Sequence, residues 1–323
     1  MNVSGRKRVV ITGASSGIGA ATAEAFAADG ARLVLAARDA EALEQIATVC
    51  RRSGAEVLTA PVDVTDAADV AELAIQARRW LGEIDVWFSN VGIGVVGKFH
   101  EVPISAHRRV IDANLMGHLN DAHAVLPIFL EQQRGIFVNM ISVGGFIPAP
   151  WAASYTASKF GLRGMAQALR GEVAAYPHIH ICDVYPTFVD TPAIRHAGNY
   201  TGGETSVPPG VLNPRTVAKA VVRLADRPRN TTAVGAPATT MKLAQFLAPE
   251  LSARLIDRFL ASYFARAQPA PHSPGNLFHS PADDGQVDGG FRRPRQRRIA
   301  AVAAGAVTAG AIVAGVLLAR RRR

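Results

Sequence analysis

Cysteine is nearly absent. The chain carries two, Cys50 and Cys182, too few and too far apart for a disulfide framework or a paired thiolate metal site, and this scarcity fits a reduced compartment. Histidines form no zinc-like spacing: His178 and His180 alternate along an apolar stretch and His118 stands alone, so no metal is expected. A basic body is missing as well. The formal charge is +9, but residues 292–323 hold nine arginines and no acid, and what precedes them has as many basic as acidic residues. A nucleic-acid face would spread positive charge over the folded body, so no nucleic-acid partner is expected. The opening stretch "MNVSGRKRVVITGASSGIG" runs from a few basic residues into an apolar segment without a signal-peptide core, which places the main body in the cytoplasm. No internal repeat is visible.

What is present is an apolar chain of regular rhythm. Hydrophobic residues make up 49% of 323 positions, enough for a large core. "RVVIT", "RLVLAA", "EVLTAPV", "IDVWFSN", "GIFVNMIS", "HIHICDVYP" and "TAVGA" read as short strands, apolar throughout as in a sheet covered on both faces. Helical stretches such as "GAATAEAFAADG" and "DAEALEQIATVCRRSG" lie between them, each closing near a glycine. Seven strands alternating with helices predict an α/β fold, a Rossmann-like doubly wound parallel sheet with helices on both faces. After about residue 235 the pattern changes. An amphipathic helical stretch closes a main domain at 1–267, residues 268–298 read as a flexible Pro/Gly-rich basic linker, and residues 299–323 as a hydrophobic helix ending in an arginine cluster.

The first strand delivers "TGASSGIG" into a small-residue helix. In such a loop Gly13 permits the tight turn, Gly17 lets backbone amides approach a pyrophosphate, and Gly19 allows close helix packing, with the helix N-terminus favouring phosphate. A tight turn without a ligand is the plainer alternative. The second strand ends in Ala37 and Arg38, where sites for NAD place an acid on the ribose 2′-hydroxyl. A guanidinium there pairs with a 2′-phosphate, which points to NADP(H) over NAD unless Asp39 takes the acidic role one position later. Tyr155 and Lys159 in "SYTASKFGLRG" share a helix face one turn apart, where the ammonium would favour the ionised phenol and make an acid/base pair. Ser142 ends the strand "GIFVNMIS" at the carboxyl edge of the sheet, where ligands bind in such folds.

Through "TGASSGIG", "SNVG", Asn114 in "DANLMG", Ser142, "YTASK" and "PTFVDT", in that order, residues from about 6 to 235 resemble the short-chain dehydrogenase/reductase family. The resemblance implies that Tyr155 exchanges a proton with the substrate oxygen, Lys159 lowers its pKa and holds the nicotinamide ribose, Ser142 orients the substrate, and Asn114 supports a water relay to Lys159. It further implies cofactor contacts at Thr12, Gly13, Ser15, Ser16, Gly17, Ile18 and Gly19, at Arg38, at Asp63 and Val64 on the adenine, at Asn90 and Gly92, and at Pro186, Val189 and Thr191 towards the carboxamide. Two places depart from the family pattern: Ser89 and Val91 flank Asn90 where asparagine and alanine are usual, and Thr187 follows Pro186 in place of glycine.

The resulting expectation is an NADP(H)-dependent oxidoreductase moving a hydride between the nicotinamide and a carbonyl or alcohol. The alternative is a membrane-tethered dinucleotide-binding scaffold that senses redox state without turnover. Phe146, Ile147 and Trp151 lie between Ser142 and Tyr155, which suits a small apolar substrate. The Gly/Pro-rich stretch after Thr191 reads as a movable lid. A homo-oligomer is expected. Ile299 to Ala319 carries no charge and as a helix would match the roughly 30 Å hydrocarbon core, so the chain is expected to be membrane-anchored at its C-terminus with the catalytic domain facing the cytoplasm.

Overall fold

In the central strand, β1 (Arg8–Thr12), consecutive residues serve opposite faces of a sheet. Val9 and Ile11 enter one hydrophobic cluster and Val10 the other, all fully buried. The same division holds in β2 (Arg32–Ala37), where Leu33 and Leu35 face one way and Val34 the other. A strand with no polar face has to be covered on both sides, which is why the segment is apolar throughout. The computed structural model describes residues 6–205, 207, 210–235, 249–281 and 285–292.

Five further strands complete the sheet: β3 (Glu56–Pro61), β4 (Val86–Ser89), β6 (Gly135–Met140), β7 (Ile179–Pro186) and β9 (Thr231–Val234). Their order is β3-β2-β1-β4-β6-β7-β9 and every pairing is parallel. These are the seven strands expected from sequence. Two short strands the sequence does not announce, β5 (Val95–Val96) and β8 (Gly198–Asn199), pair parallel outside that sheet. Helices α1 (Gly17–Ala28), α2 (Ala40–Arg52) and α7 (Pro214–Asp226) supply Phe26, Leu43, Ile46, Val217 and Val221 to one cluster. On the other face α3 (Ala67–Leu81), α5 (Gly117–Gln132) and α6 (Ala153–Glu172) supply Leu73, Val125, Phe129 and Ala166. Helix α4 (Ile104–Ile111) leads into α5 through a π-helical turn, Asp112–Met116.

Strand order reverses at β1, which has β2 on one side and β4 on the other, so the chain leaves these strands in opposite directions and opens a crevice at their carboxyl ends. Thr12 and Ser89 stand opposite each other there. Helix starts are capped differently. Asp39 caps α2 and Asp66 caps α3 with their carboxylates, whereas Ser16 at the start of α1 makes no side-chain cap. The first amides of α1 are left for another acceptor.

The amphipathic stretch beyond residue 240 is helical where described, as α8 (Pro249–Phe264). Residues 268–281 and 285–292, in the segment that reads as flexible linker, lie against the body. Leu277 is fully buried with Ile93, Val95 and Val102, and Val287 joins the cluster under α1 and α2. The hydrophobic stretch Ile299–Ala319 lies outside the described residues, and among the described residues no helix is long and apolar enough to cross a membrane.

Helix α1 lies against the turn that follows β1 at Gly19, where an added Cβ would lie 2.0 Å from the Gly13 carbonyl oxygen. Because the obstacle is backbone, Gly19→Ala should destabilise the chain by about 1–3 kcal/mol, the usual scale for overpacking. Urea unfolding of the variant beside the parent measures it, and an unchanged midpoint would show that α1 can retreat without cost.

Candidate active site at the carboxyl edge of the sheet

The glycine loop places its groups as the sequence implies. Gly13 and Gly17 adopt φ of +67° and +55°, a region that β-carbons disfavour. Asn90 donates through Nδ2 to the Gly13 carbonyl at 3.0 Å, tying the loop after β4 to the loop after β1. Gly92 is open on the crevice side, its nearest side-chain neighbour being the Lys159 ammonium, 3.9 Å from where a Cβ would stand. Thr191 closes the other wall, its methyl 3.0 Å from a notional Cβ on Gly17. Pro186 ends β7, and Val189 is buried and bridged to Leu212. Ser15 and Ile18 are partly exposed along the loop.

Beneath the loop lies a buried carboxylate that sequence reading did not single out. Asp121 accepts from Thr12 Oγ1 at 2.7 Å and from Ser89 Oγ at 2.6 Å through one oxygen. It therefore clamps the ends of β1 and β4 where the crevice opens. Burial drives its pKa up to about 7, with the two hydroxyls pulling the other way. One turn earlier, His118 sits between Asn139 Oδ1 at 2.7 Å and the Val91 carbonyl at 2.8 Å, and burial lowers its pKa to about 4. Ser89 and Val91, which together make one of the two departures from the family pattern, are thus residues these α5 side chains hold, Ser89 by its hydroxyl and Val91 by its carbonyl.

At the end of β2, Arg38 is half-buried and its guanidinium pKa is lowered by burial and by repulsion from Arg109, with Asp63 opposing. Asp63 is bound on one side by Arg109 Nη2 at 2.9 Å and on the other by Thr65. That pairing keeps its carboxyl below the ordinary range despite burial. Val64, next to it, is buried and its carbonyl accepts from Asn120 at 2.9 Å. Arg109, on α4, went unread in the sequence, where "HRRVI" looks like an ordinary solvated helix face. Asp39 spends its carboxylate on the amides of Glu41 and Ala42, which leaves Arg38 as the side chain presented at this strand end.

The proton-transfer group assembles around α6. Ser142 follows β6 with φ 140° and ψ 160°, a backbone conformation that costs a non-glycine residue about 1–3 kcal/mol. Its Oγ accepts from the Gly144 amide at 3.1 Å, and a Cβ added at Gly144 would meet both this oxygen, at 3.5 Å, and the Tyr155 ring, at 3.1 Å. Lys159 is 2% exposed, its Nζ donating to the Met140 carbonyl at 3.2 Å and lying 5.7 Å from the Tyr155 ring centroid. Burial lowers the Lys159 ammonium to about 7. The expected depression of the Tyr155 pKa is not what the structure has: burial raises it, and only the neighbouring Ser142 acts in the other direction. Asn114 occupies the π-helical turn, where its amide binds the backbone of Ile93 both ways, at 2.8 and 2.9 Å, and donates to Ser158 Oγ at 3.2 Å. The side chain implied in a relay to Lys159 thus braces the loop after β4 and the helix that carries Tyr155.

Of the apolar residues between Ser142 and Tyr155, Phe146 turns away, packing on Tyr185 with ring centroids 4.3 Å apart and under the Arg163 guanidinium. Ile147 is buried. Trp151 stacks on Phe264 of α8 at 5.2 Å and donates to Asp257 at 3.0 Å. Among the described residues no cluster of His, Cys, Asp or Glu could hold a metal ion.

These residues fit a dinucleotide. The start of α1 has no side-chain cap and suits a pyrophosphate, Gly92 is open where a Cβ would stand, and at the end of β2 Arg38 lies near the Asp63 carboxylate that Arg109 pairs with. Comparison with known proteins agrees. Residues 7–199 match the family model described as short chain dehydrogenase. An uncharacterized oxidoreductase of Staphylococcus saprophyticus is 33% identical over 69% of this chain and 92% of its own. One from Listeria innocua is 38% identical over 57% of this chain and 75% of its own. Among solved structures, an alcohol dehydrogenase from the archaeon Thermococcus sibiricus, complexed with 5-hydroxy-NADP, superposes with a TM-score of 0.62 at 28% identity, over 71% of this chain and 95% of that one. With the sheet order, the glycine loop and the Ser142, Tyr155 and Lys159 arrangement in place, the chain belongs to the short chain dehydrogenase family and is an NAD(P)-dependent oxidoreductase.

Proposed function

We propose that the protein is an NADP(H)-dependent oxidoreductase of small apolar carbonyls or alcohols, held at a membrane face by its C-terminal tail. The observation that carries the chemistry is the convergence of the Tyr155 ring and the Ser142 hydroxyl on Gly144, with Lys159 Nζ 5.7 Å from the phenol ring. A redox-sensing scaffold has no need of that convergence. When bound, the nicotinamide supplies or accepts the hydride. Everything else is proton handling and orientation. Ser142 Oγ, fixed by the Gly144 amide, keeps its own hydrogen for the substrate oxygen. Tyr155, kept protonated by burial, donates to that oxygen in reduction, and its phenolate then forms near Lys159 Nζ. Asn114, fixed to Ile93 and Ser158, holds the helix and loop on either side of that pair.

Preference for the 2′-phosphorylated cofactor is supported by Arg38 with Arg109 at the end of β2 and by the commitment of Asp39 to capping. The related archaeal dehydrogenase was solved with an NADP derivative. An apolar substrate is supported by the run between Ser142 and Tyr155, which has no charged residue, and by the Trp151–Phe264 stack beside it. Membrane attachment rests on the uncharged stretch from Ile299 to Ala319 with arginines on both sides.

Tyr155→Phe should lower kcat by about 10²- to 10⁴-fold while NADPH binding, read by nicotinamide fluorescence, stays near the parent value. Full activity would remove Tyr155 from the mechanism. Arg38→Asp should weaken NADPH binding by about 1–3 kcal/mol and let NADH compete. A parent enzyme that already prefers NADH would overturn the cofactor assignment. The full-length protein should stay with membranes through high salt and carbonate washing, since apolar burial is not screened by ions. Release by salt alone would reduce the tail to a surface-bound basic segment.

A further inference from the structure

Residues 268–281 and 285–292 form a strap along the carboxyl edge of the sheet, and its contacts fall on the groups that would hold the dinucleotide. At the adenosine end the Asn276 carbonyl accepts from Arg38 Nη2 at 3.3 Å and the Leu277 carbonyl accepts from Arg109 Nε at 2.9 Å. In the middle the Gln286 carbonyl accepts from the Gly17 amide at 3.0 Å. Gly285 passes so close that an added Cβ would lie 2.6 Å from the Ser15 carbonyl oxygen and 2.9 Å from that of Ala42. At the far end the Gly289 amide donates to the Asp190 carbonyl at 3.1 Å. The Asp190 carboxylate, 2% exposed, accepts from the Phe291 amide at 2.8 Å, the Arg292 amide at 3.2 Å and Arg292 Nε at 3.1 Å. Asp288 adds an ion pair to Arg215 at 2.8 Å.

We propose that this strap is an intramolecular competitor of the cofactor, so that the chain regulates its own site by seating or releasing the stretch around Gln286. The proposal rests on the dinucleotide reading above. Its physical core is donor arithmetic. A backbone amide has one hydrogen, and the Gly17 N–H that points at Gln286 cannot point at a pyrophosphate oxygen as well. The strap brings a carbonyl dipole to the uncapped start of α1, which is what a phosphate does with a full charge. Arg38 is engaged in the same manner, by a neutral carbonyl where a phosphate would make a charge-assisted bond. In the middle of the strap Gln286 is exposed and Gly285 brings no side chain to bury, so Val287 is the apolar side chain that release would draw from the core cluster. The strap's flanks are fixed, by the buried Leu277 on one side and the Arg292–Asp190 pair on the other. Only the fraction of molecules with the seat vacated binds cofactor, and apparent affinity is reduced by that fraction.

The test uses the full-length chain and no substrate. Gly285→Val drives a side chain into the Ser15 and Ala42 carbonyls and should unseat the strap, and Arg292→Ala, which removes one anchor and buries nothing new, should do so more mildly. Gln286→Ala, changing only an exposed side chain, is the control. Expected are NADPH dissociation constants about 10- to 100-fold tighter for Gly285→Val, a smaller gain for Arg292→Ala, none for the control, and faster hydrogen exchange over 285–292 of the parent when NADPH is added. Binding accompanied by unchanged or slower exchange in that segment would overturn the strap proposal alone, by making the segment part of the loaded site. Failure of the parent and both unseated variants to bind any dinucleotide would overturn the cofactor reading and the strap proposal together.

Discussion

Helix α1 lies so near the turn that follows strand β1 that a single methyl group does not fit between Gly19 and the Gly13 carbonyl. Much of the site follows from that proximity. It demands the small, buried face of Ala20, Ala21 and Ala23, and it brings the helix start over the crevice where the order of strands reverses. Because Ser16 does not cap it, the positive end of the helix is directed at whatever occupies the crevice. A longer gap would give a sturdier core with larger side chains and no place for a phosphate.

A second layer keeps the crevice walls in register. Asp121, His118 and Asn114, from α5 and the turn before it, each reach up to the residues after β4 or to the strand ends themselves. All three are fully buried. Buried polar groups of this kind contribute little net stability, but satisfied by specific partners they allow one arrangement and penalise others. The electrostatics around Tyr155 follow the same logic. Burial holds the phenol protonated and lowers the neighbouring ammonium to about 7, so the phenolate charge is absent until chemistry requires it.

The parts legible in the sequence are those written in local pattern. Strands fully buried on two faces announce themselves as unbroken apolar runs, the glycine loop as spacing, and Tyr155 with Lys159 as one helical turn. Arg109 and Asp121 were not legible, because their meaning lies in partners, Asp63 and Thr12, that are distant along the chain and meet only through the sheet. Phe146 reads as a pocket residue by position, yet the turn after Ser142 sends it back onto Tyr185. The strap misleads for a different reason. Its hold comes from backbone carbonyls, two isolated apolar side chains, the pairs Arg292–Asp190 and Asp288–Arg215 with partners distant in sequence, and glycines that fit closely against other backbone, none of which has a period or a composition to betray it. Proline and glycine there read as freedom, and Gly285 and Gly289 are in fact points of tight contact.

Ser142 carries a consequence for how such a site can change over generations. Its backbone occupies a region that glycine enters freely and serine does not. A glycine at this position would relieve the turn and remove the hydroxyl in one substitution. Selection for a sturdier protein and selection for a working one therefore pull this residue in opposite directions, and a serine that persists here reports which of the two has prevailed.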